Sequence, residues 1–195
     1  MSIASAQHDG VVLIPVKAFG DAKGRLSDAL GSQERADLAK EMATHVVKVQ
    51  RNVAVAICCD DDDVAAWAES VNASVVWCPG TDLNGAVNAG LLAARSAGYA
   101  FAAIAHSDLP LAVSLDELLG WPGVTLVPDR HRAGTNVMAL PTALDFRFSY
   151  GEASLQRHVI EALRHRRGLR IMHHESLGWD VDHPADLDLP TGTLL

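Results

Sequence analysis

Three short stretches of this 195-residue chain combine residue types that can handle phosphate. "IPVKAFGDAKGRL" (14–26) ends an apolar run and then delivers Lys17, Lys23 and Arg25 around two glycines. "HSDLPL" carries Asp108, and "DVD" carries Asp180 and Asp182. Two carboxylates two residues apart in an extended segment point the same way. Like charges that close are costly unless a cation lies between them. A hard oxygen set of this kind suits Mg²⁺, which keeps waters and substrate phosphates as its other ligands. Basic groups on one loop, facing a carboxylate pole on others, describe phosphoryl or nucleotidyl transfer. The metal neutralises charge developing at phosphorus, while Lys and Arg stabilise the departing pyrophosphate. Each group also has a plainer role. The basic residues could be solvated loop charges, Asp108 could make an Asx turn, and Asp180 and Asp182 could cap a helix opened by Pro184. Spacing alone leaves both readings open.

Other chemistries find no support. "FGDAKGRL" lacks the Gly-Lys-Ser/Thr ending of a phosphate-binding P-loop, and no G-x-G-x-x-G opens the first helix. "GEASL" lacks the second glycine of a nucleophile elbow. "DDDD" (60–63) fits anions on the first turn of a helix better than a metal cluster. Cys58, Cys59 and Cys78 have no paired metal-ligand spacing and read as buried thiols in a reducing compartment. His165, His173 and His174 fall in a basic stretch near a helix C-terminus and strand and read as solvated or as complementing the helix dipole.

The elements that must carry these loops alternate along the chain. "VVLIPV" (11–16), "VAVAIC", "ASVVW", "YAFAAIA" and "GVTLVPD" are apolar, β-branched runs of the kind buried on both faces of a parallel sheet. "TNVMALP" is a further strand, open to an antiparallel orientation, and "LRIMHH" is the last. Helical spacing predicts a helix over 33–50 capped by Ser32, and one capped by Asp60 running to Trp67. A third runs over 82–96 and buries Ala86, Ala89, Leu92 and Ala93. A short helix lies over 114–119, and another in "SLQRHVIEALRHRR" buries Leu155, Val159, Ala162 and Leu163. Strand–helix repetition calls for a mostly parallel sheet flanked by helices. In such sheets ligands bind beyond the carboxyl ends of the strands, where the three loops lie.

The length fits one α/β domain spanning 1–195, with 1–9 a flexible lead-in. A net charge of -8 argues against nucleic-acid or membrane-surface partners, yet permits a local cation cluster for a small anion. No apolar run reaches the ~20 residues of a bilayer span, and the N-terminus lacks a secretion signal. The expected location is the cytoplasm, with a homo-oligomer left open.

Taken in order, "IPVKAFGDAKGRL", "DLNGAVNAG", "SDLPL", "PDRHRAGTNVMAL", "YGEASLQRH" and "DVDHPADL" resemble the guanylyltransferases of deazaflavin coenzyme (coenzyme F-420) biosynthesis, known as CofC or FbiD. The resemblance covers residues 11–187. It implies a single Rossmann-like (GT-A-like) nucleotidyltransferase domain. Such an enzyme uses GTP to guanylylate a phosphorylated three-carbon acid: 2-phospho-L-lactate, phosphoenolpyruvate or 3-phospho-D-glycerate. Pyrophosphate leaves, and a second, deazaflavin-specific transferase receives the product.

Carried onto this sequence, the resemblance makes Asp108, Asp180 and Asp182 the Mg²⁺ ligands. Thr135, Gly151 and Ser154 would meet the acid, the last at a helix N-terminus that favours anions. Lys17, Lys23 and Arg25 would hold the GTP phosphates, with Asn84, Gly85 and Asn88 on the nucleoside side. Lys23, Arg25 and Asp108 would carry the catalysis. No dedicated base is needed, since a phosphate monoester with a second pKa of about 6 is largely dianionic at neutral pH. His106 and His183 depart from the family pattern without removing a ligand. The rivals are a sugar-phosphate or molybdopterin nucleotidyltransferase and a catalytically silent nucleotide-binding protein.

Overall fold

The computed structural model describes residues 9–190. Residues 1–8 of the expected lead-in lie outside them. Asp9, its last residue, already accepts from the Ala100 and Phe101 amides at 2.8 and 3.0 Å. Among the described residues no helix is long and apolar enough to cross a membrane.

Seven strands form one sheet: β1 (Gly10–Pro15), β2 (Ala54–Cys59), β3 (Ser74–Trp77), β4 (Phe101–Ala105), β5 (Val124–Pro128), β6 (Thr135–Pro141) and β7 (Leu169–Ile171). Four helices cover it: α1 (Ser32–Lys48), α2 (Asp62–Ser70), α3 (Leu83–Ser96) and α4 (Ser154–Arg164). The strand order is β3-β2-β1-β4-β6-β5-β7. All neighbouring pairs are parallel except those of β6, which runs antiparallel to β4 and β5.

The alternation of β1 explains the layering. Val12 and Ile14 point into the core shared with Val46 of α1 and Trp67 of α2. Val11 and Leu13 point into the opposite core, with Val87 and Leu91 of α3 and Ala162 of α4. A strand buried on both faces therefore reads as one unbroken apolar run.

Helix details differ from the sequence reading. Gly31, not Ser32, caps α1, its amide donating to Glu34 Oε2 at 2.7 Å. Asp61, not Asp60, caps α2, accepting from the Val64 amide at 2.9 Å. On α3 the buried face is Ala86, Val87, Gly90, Leu91 and Ala94, whereas Leu92 is 64% exposed. Gly90 sets this face, because a Cβ there would stand 2.6 Å from Cys58 Sγ. On α4 Leu163 is exposed, and Ser154, His158 and Glu161 are buried beside Ala162. The 114–119 helix is a 3-10 turn, Asp116–Leu118. His165 is not solvated, since it stacks on Phe146 and pairs with Glu161 at 3.2 Å. The three cysteines are buried and free, as expected.

A third, smaller core of Leu26, Met42 and Val181 lies under the loop after β1, with Trp179 and Leu187 packed on it. It joins the basic loop to the segment after β7. Asp186 then clasps that segment. Its Oδ2 accepts the amides of Asp182 and His183 at 2.8 and 2.7 Å, and its Oδ1 pairs with Arg130. Arg130 also lies 4.3 Å over the Trp179 ring and donates to the Asp180 carbonyl at 3.1 Å. Asp186→Asn keeps the shape but removes the charge that strengthens these bonds. It should lower unfolding free energy in urea by about 1–3 kcal/mol; a loss within ~0.5 kcal/mol would mark the clasp as a surface contact.

Candidate active site

The loops after β1, β4, β5 and β7 and the start of β6 meet over a cleft of about 770 Å³. The loop after β1 folds as two 3-10 turns, Phe19–Asp21 and Gly24–Leu26. Lys23, between them, adopts left-handed backbone angles (φ 57°), a conformation uncommon for a residue with a Cβ. Its ammonium pairs with Asp108 Oδ2 and lies 3.3 Å from Asp182 Oδ1. Arg25, largely exposed, reaches Asp182 Oδ2 at 3.2 Å. The Val181 amide donates to the Asp108 carbonyl at 3.2 Å, stitching the two acidic loops together. Asn136, buried at the start of β6, donates to Leu177 O at 3.1 Å and to Asp180 Oδ1 at 3.3 Å.

Electrostatics follow from these contacts. Burial alone would weaken Lys23's hold on its proton, but the charges and hydrogen bonds of Asp108 and Asp182 outweigh it and raise its pKa. Burial alone would likewise raise Asp108, yet Lys23 and then His106 bring it below the carboxylate range. Among the described residues no cation pairs with Asp180. Burial, then the charges of Asp108 and Asp182, push its carboxyl up despite the Asn136 bond.

The acidic pole therefore has chemistry to offer a cation. Among the described residues Asp108 Oδ1 is buried without a hydrogen-bond partner, and Asp180 is held above its ordinary pKa by burial and then by its acidic neighbours. Three carboxylates of this kind fit a hard divalent ion, and Asp108, Asp180 and Asp182 are the residues that could hold it. Among the described residues no three Asp, Glu, His or Cys side chains already stand at mutual metal-ligand distances. Lys23 occupies the space between Asp108 and Asp182 instead.

The other end of the cleft is built from Thr135, Gly151 and Ser154. Gly151 has φ 112°, a turn that suits glycine, and its carbonyl accepts from the Ser154 amide at 3.1 Å. Ser154 opens α4, and its Oγ accepts from the Thr135 amide at 3.1 Å. The side chain of Thr135 meets His158 Nδ1 at 3.0 Å. His158 Nε2 in turn accepts from the Ser149 amide at 3.0 Å.

The structure thus gathers Lys17, Lys23, Arg25, Asp108, Thr135, Gly151, Ser154, Asp180 and Asp182 around one cleft, Lys17 exposed on its rim. Asn84, Gly85 and Asn88 are not among its lining residues. Asn84 Oδ1 accepts from the Tyr150 amide at 2.7 Å, Asn88 donates to Asn84 O at 2.9 Å, and the Gly85 amide is bound to the cap, Asp82. These bonds account for the three residues locally. His106 lines the cleft, tilted against Tyr150, whereas His183 is exposed outside it. Residues the sequence reading gave no role are Arg130, Asn136, Asp186 and His158. For His158 a signal existed: it lies four residues after Ser154, on the same helix face.

Burial, then the charges of Arg157 and His106, lower the His158 pKa from 6.5 to about 4. Between those values the unfolded chain binds more protons than the folded one, so stability rises with pH. The contribution is complete above pH 6.5 and lost as pH falls towards 4. In urea unfolding at stepped pH, wild type should lose stability over this window more steeply than His158→Gln. Equal slopes would contradict a neutral buried imidazole.

The chain is similar to proteins of one described family. The family described as "Guanylyl transferase CofC like" matches residues 10–190. The phosphoenolpyruvate guanylyltransferase of Conexibacter woesei is 35% identical over 190 residues, covering 90% of this chain and 84% of that protein. That of Sphaerobacter thermophilus is 31% identical over 188 residues, covering 91% and 90%. The 2-phospho-L-lactate guanylyltransferase of Methanothermobacter thermautotrophicus is 33% identical over 186 residues, covering 90% and 81%. Among solved structures, 4-diphosphocytidyl-2C-methyl-D-erythritol synthase superposes with a TM-score of 0.61 at 13% identity, over 94% of this chain and 96% of that one. This likeness shows a shared fold. With the family matched from β1 to beyond the Asp186 clasp, the chain belongs to the CofC-like guanylyl transferases.

Proposed function

We propose that this enzyme transfers GMP from GTP to a small phosphorylated three-carbon acid, and that Mg²⁺ assists it. The observation that carries the reading is one cleft with a cation–carboxylate pole at one end and a hydroxyl-rich helix N-terminus at the other. An oxygen of the acid's phosphate attacks the α-phosphorus of GTP. The bond from that phosphorus to the bridging β-oxygen breaks, and pyrophosphate leaves with the electron pair.

The protein's task is to bring two anions together in line. Thr135, Ser154 and the backbone at Gly151 hold the acid. Lys17, Lys23 and Arg25 hold the triphosphate and stabilise the leaving group. Asp108, Asp180 and Asp182 hold Mg²⁺, which supplies neutralisation of charge at phosphorus when bound. In this reading Lys23 serves twice, as partner of Asp108 before the nucleotide arrives and as phosphate ligand afterwards. The product is a reactive phosphoanhydride, suited to hand-over to a second transferase acting on the deazaflavin precursor.

Purified protein with GTP and Mg²⁺ should release pyrophosphate with at least one of phosphoenolpyruvate, 2-phospho-L-lactate and 3-phospho-D-glycerate. Mass spectrometry should find the matching guanylylated acid. Asp180→Asn, or chelation of the metal, should reduce the rate by at least about a hundredfold. Turnover only with a sugar phosphate or a molybdopterin, or full activity of Asp180→Asn, would overturn the reading.

A further inference from the structure

His158 is wholly buried on α4 and touches no solvent. Both its ring nitrogens are bonded. The Ser149 amide, 3.0 Å from Nε2, can only donate, so Nε2 is the bare nitrogen. A neutral imidazole with Nε2 bare carries its proton on Nδ1. That proton points at Thr135 Oγ1, 3.0 Å away, and makes the threonine oxygen an acceptor. Tyr150 packs against the ring at 4.8 Å and Phe146 at 5.9 Å between centroids.

One consequence concerns the threonine's own hydrogen. Thr135 Oγ1 has no other hydrogen bond among the described residues, so its proton is uncommitted. Ser154 stands in the same state: its Oγ accepts from the Thr135 amide, and among the described residues no acceptor takes its proton. Both residues line the cleft. Each oxygen already accepts one protein donor while its own proton is uncommitted, so both hydroxyls are poised to donate to a ligand. Such a pair selects an oxyanion and is set before it arrives.

We propose that His158 is a positioning residue for the acid: by donating from Nδ1 to Thr135 Oγ1 it commits the Thr135 hydroxyl, alongside Ser154, to donate to a carboxylate or phosphate oxygen of the substrate. The inference rests on the proposed reaction for the identity of that anion. It predicts that His158 governs affinity for the acid and leaves affinity for GTP alone.

Two substitutions separate this role from simple support of the Ser149 backbone. His158→Asn places an amide N–H near the position of Nδ1 and loses the Ser149 acceptor. His158→Gln can place its carbonyl oxygen near Nε2 and loses the donor to Thr135. In steady-state kinetics His158→Gln should raise the KM for the acid about tenfold or more, the loss expected for a hydrogen bond to a charged group, with KM for GTP little changed. His158→Asn should recover most of that loss. Thr135→Val should show the same defect, and adding His158→Gln to it should cost nothing further. Rescue by Gln but not by Asn, or independent losses in the double variant, would overturn the proposal. Nitrogen-15 NMR of the wild-type imidazole decides the matter separately from turnover. A proton on Nδ1 supports the assignment and a proton on Nε2 overturns it. Absence of turnover with every acid would sink the proposed reaction, while this tautomer would still judge His158.

Discussion

Everything in the site depends on one ammonium group. Lys23 is almost buried, and its charge lies against Asp108 and within 3.3 Å of Asp182. Each partner would be costly alone, because a charge removed from water needs a counter-charge. Together they hold three distant stretches of chain in one place: the loop after β1, the turn after β4 and the segment after β7. Among the described residues the same interaction leaves Asp180 without a cation and Asp108 Oδ1 without a hydrogen bond. The site is thus folded around partial charge compensation, with a remaining appetite for positive charge at its acidic end.

The fold is arranged so that this pairing can form. Parallel strands β1 and β4 end side by side, so their following loops start as neighbours. β6 returns antiparallel to β4, which brings Thr135 and Asn136 at its start to the same edge. Burial beneath the loops does the rest. Leu26, Met42 and Val181 form a small apolar floor, and Asp186 fixes the backbone of Asp182 and His183 from below. At the far end the polar face of α4 is turned inward, so that Ser154 and His158 are inside while Ile160 and Leu163 face outward.

Much of this was legible in the sequence, and the exceptions have physical causes. Unbroken β-branched runs announced the parallel strands, and the basic and acidic loops stood out because they fall together beyond the carboxyl ends of those strands. On α3 Ala86, Ala89 and Ala93 pack on the core as expected, but Leu92 points out, because adjacent Leu91 and Leu92 let helical spacing favour either one. Gly90, small enough to let Cys58 approach, decides it. On α4 Leu155, Val159 and Ala162 pack on the core as expected and Leu163 does not. The burial of Ser154, His158 and Glu161 was missed because they serve hydrogen bonds that only tertiary contact reveals. Asp186 read as one residue of a short helix, since its partner Arg130 is 56 positions away. Asn84, Gly85 and Asn88 carried a resemblance but serve local hydrogen bonds around the Asp82 cap and Tyr150.

The central claim is that Lys23 and Asp108 act as one unit in holding the site together. A double-mutant cycle on unfolding free energy, using Lys23→Met, Asp108→Asn and the pair, tests it most directly. Removing Lys23 alone strands a buried carboxylate and should cost about 3 kcal/mol or more. The double variant should be no less stable than Lys23→Met, giving a coupling of at least ~1 kcal/mol. Losses that simply add, with no coupling between the two positions, would contradict the account.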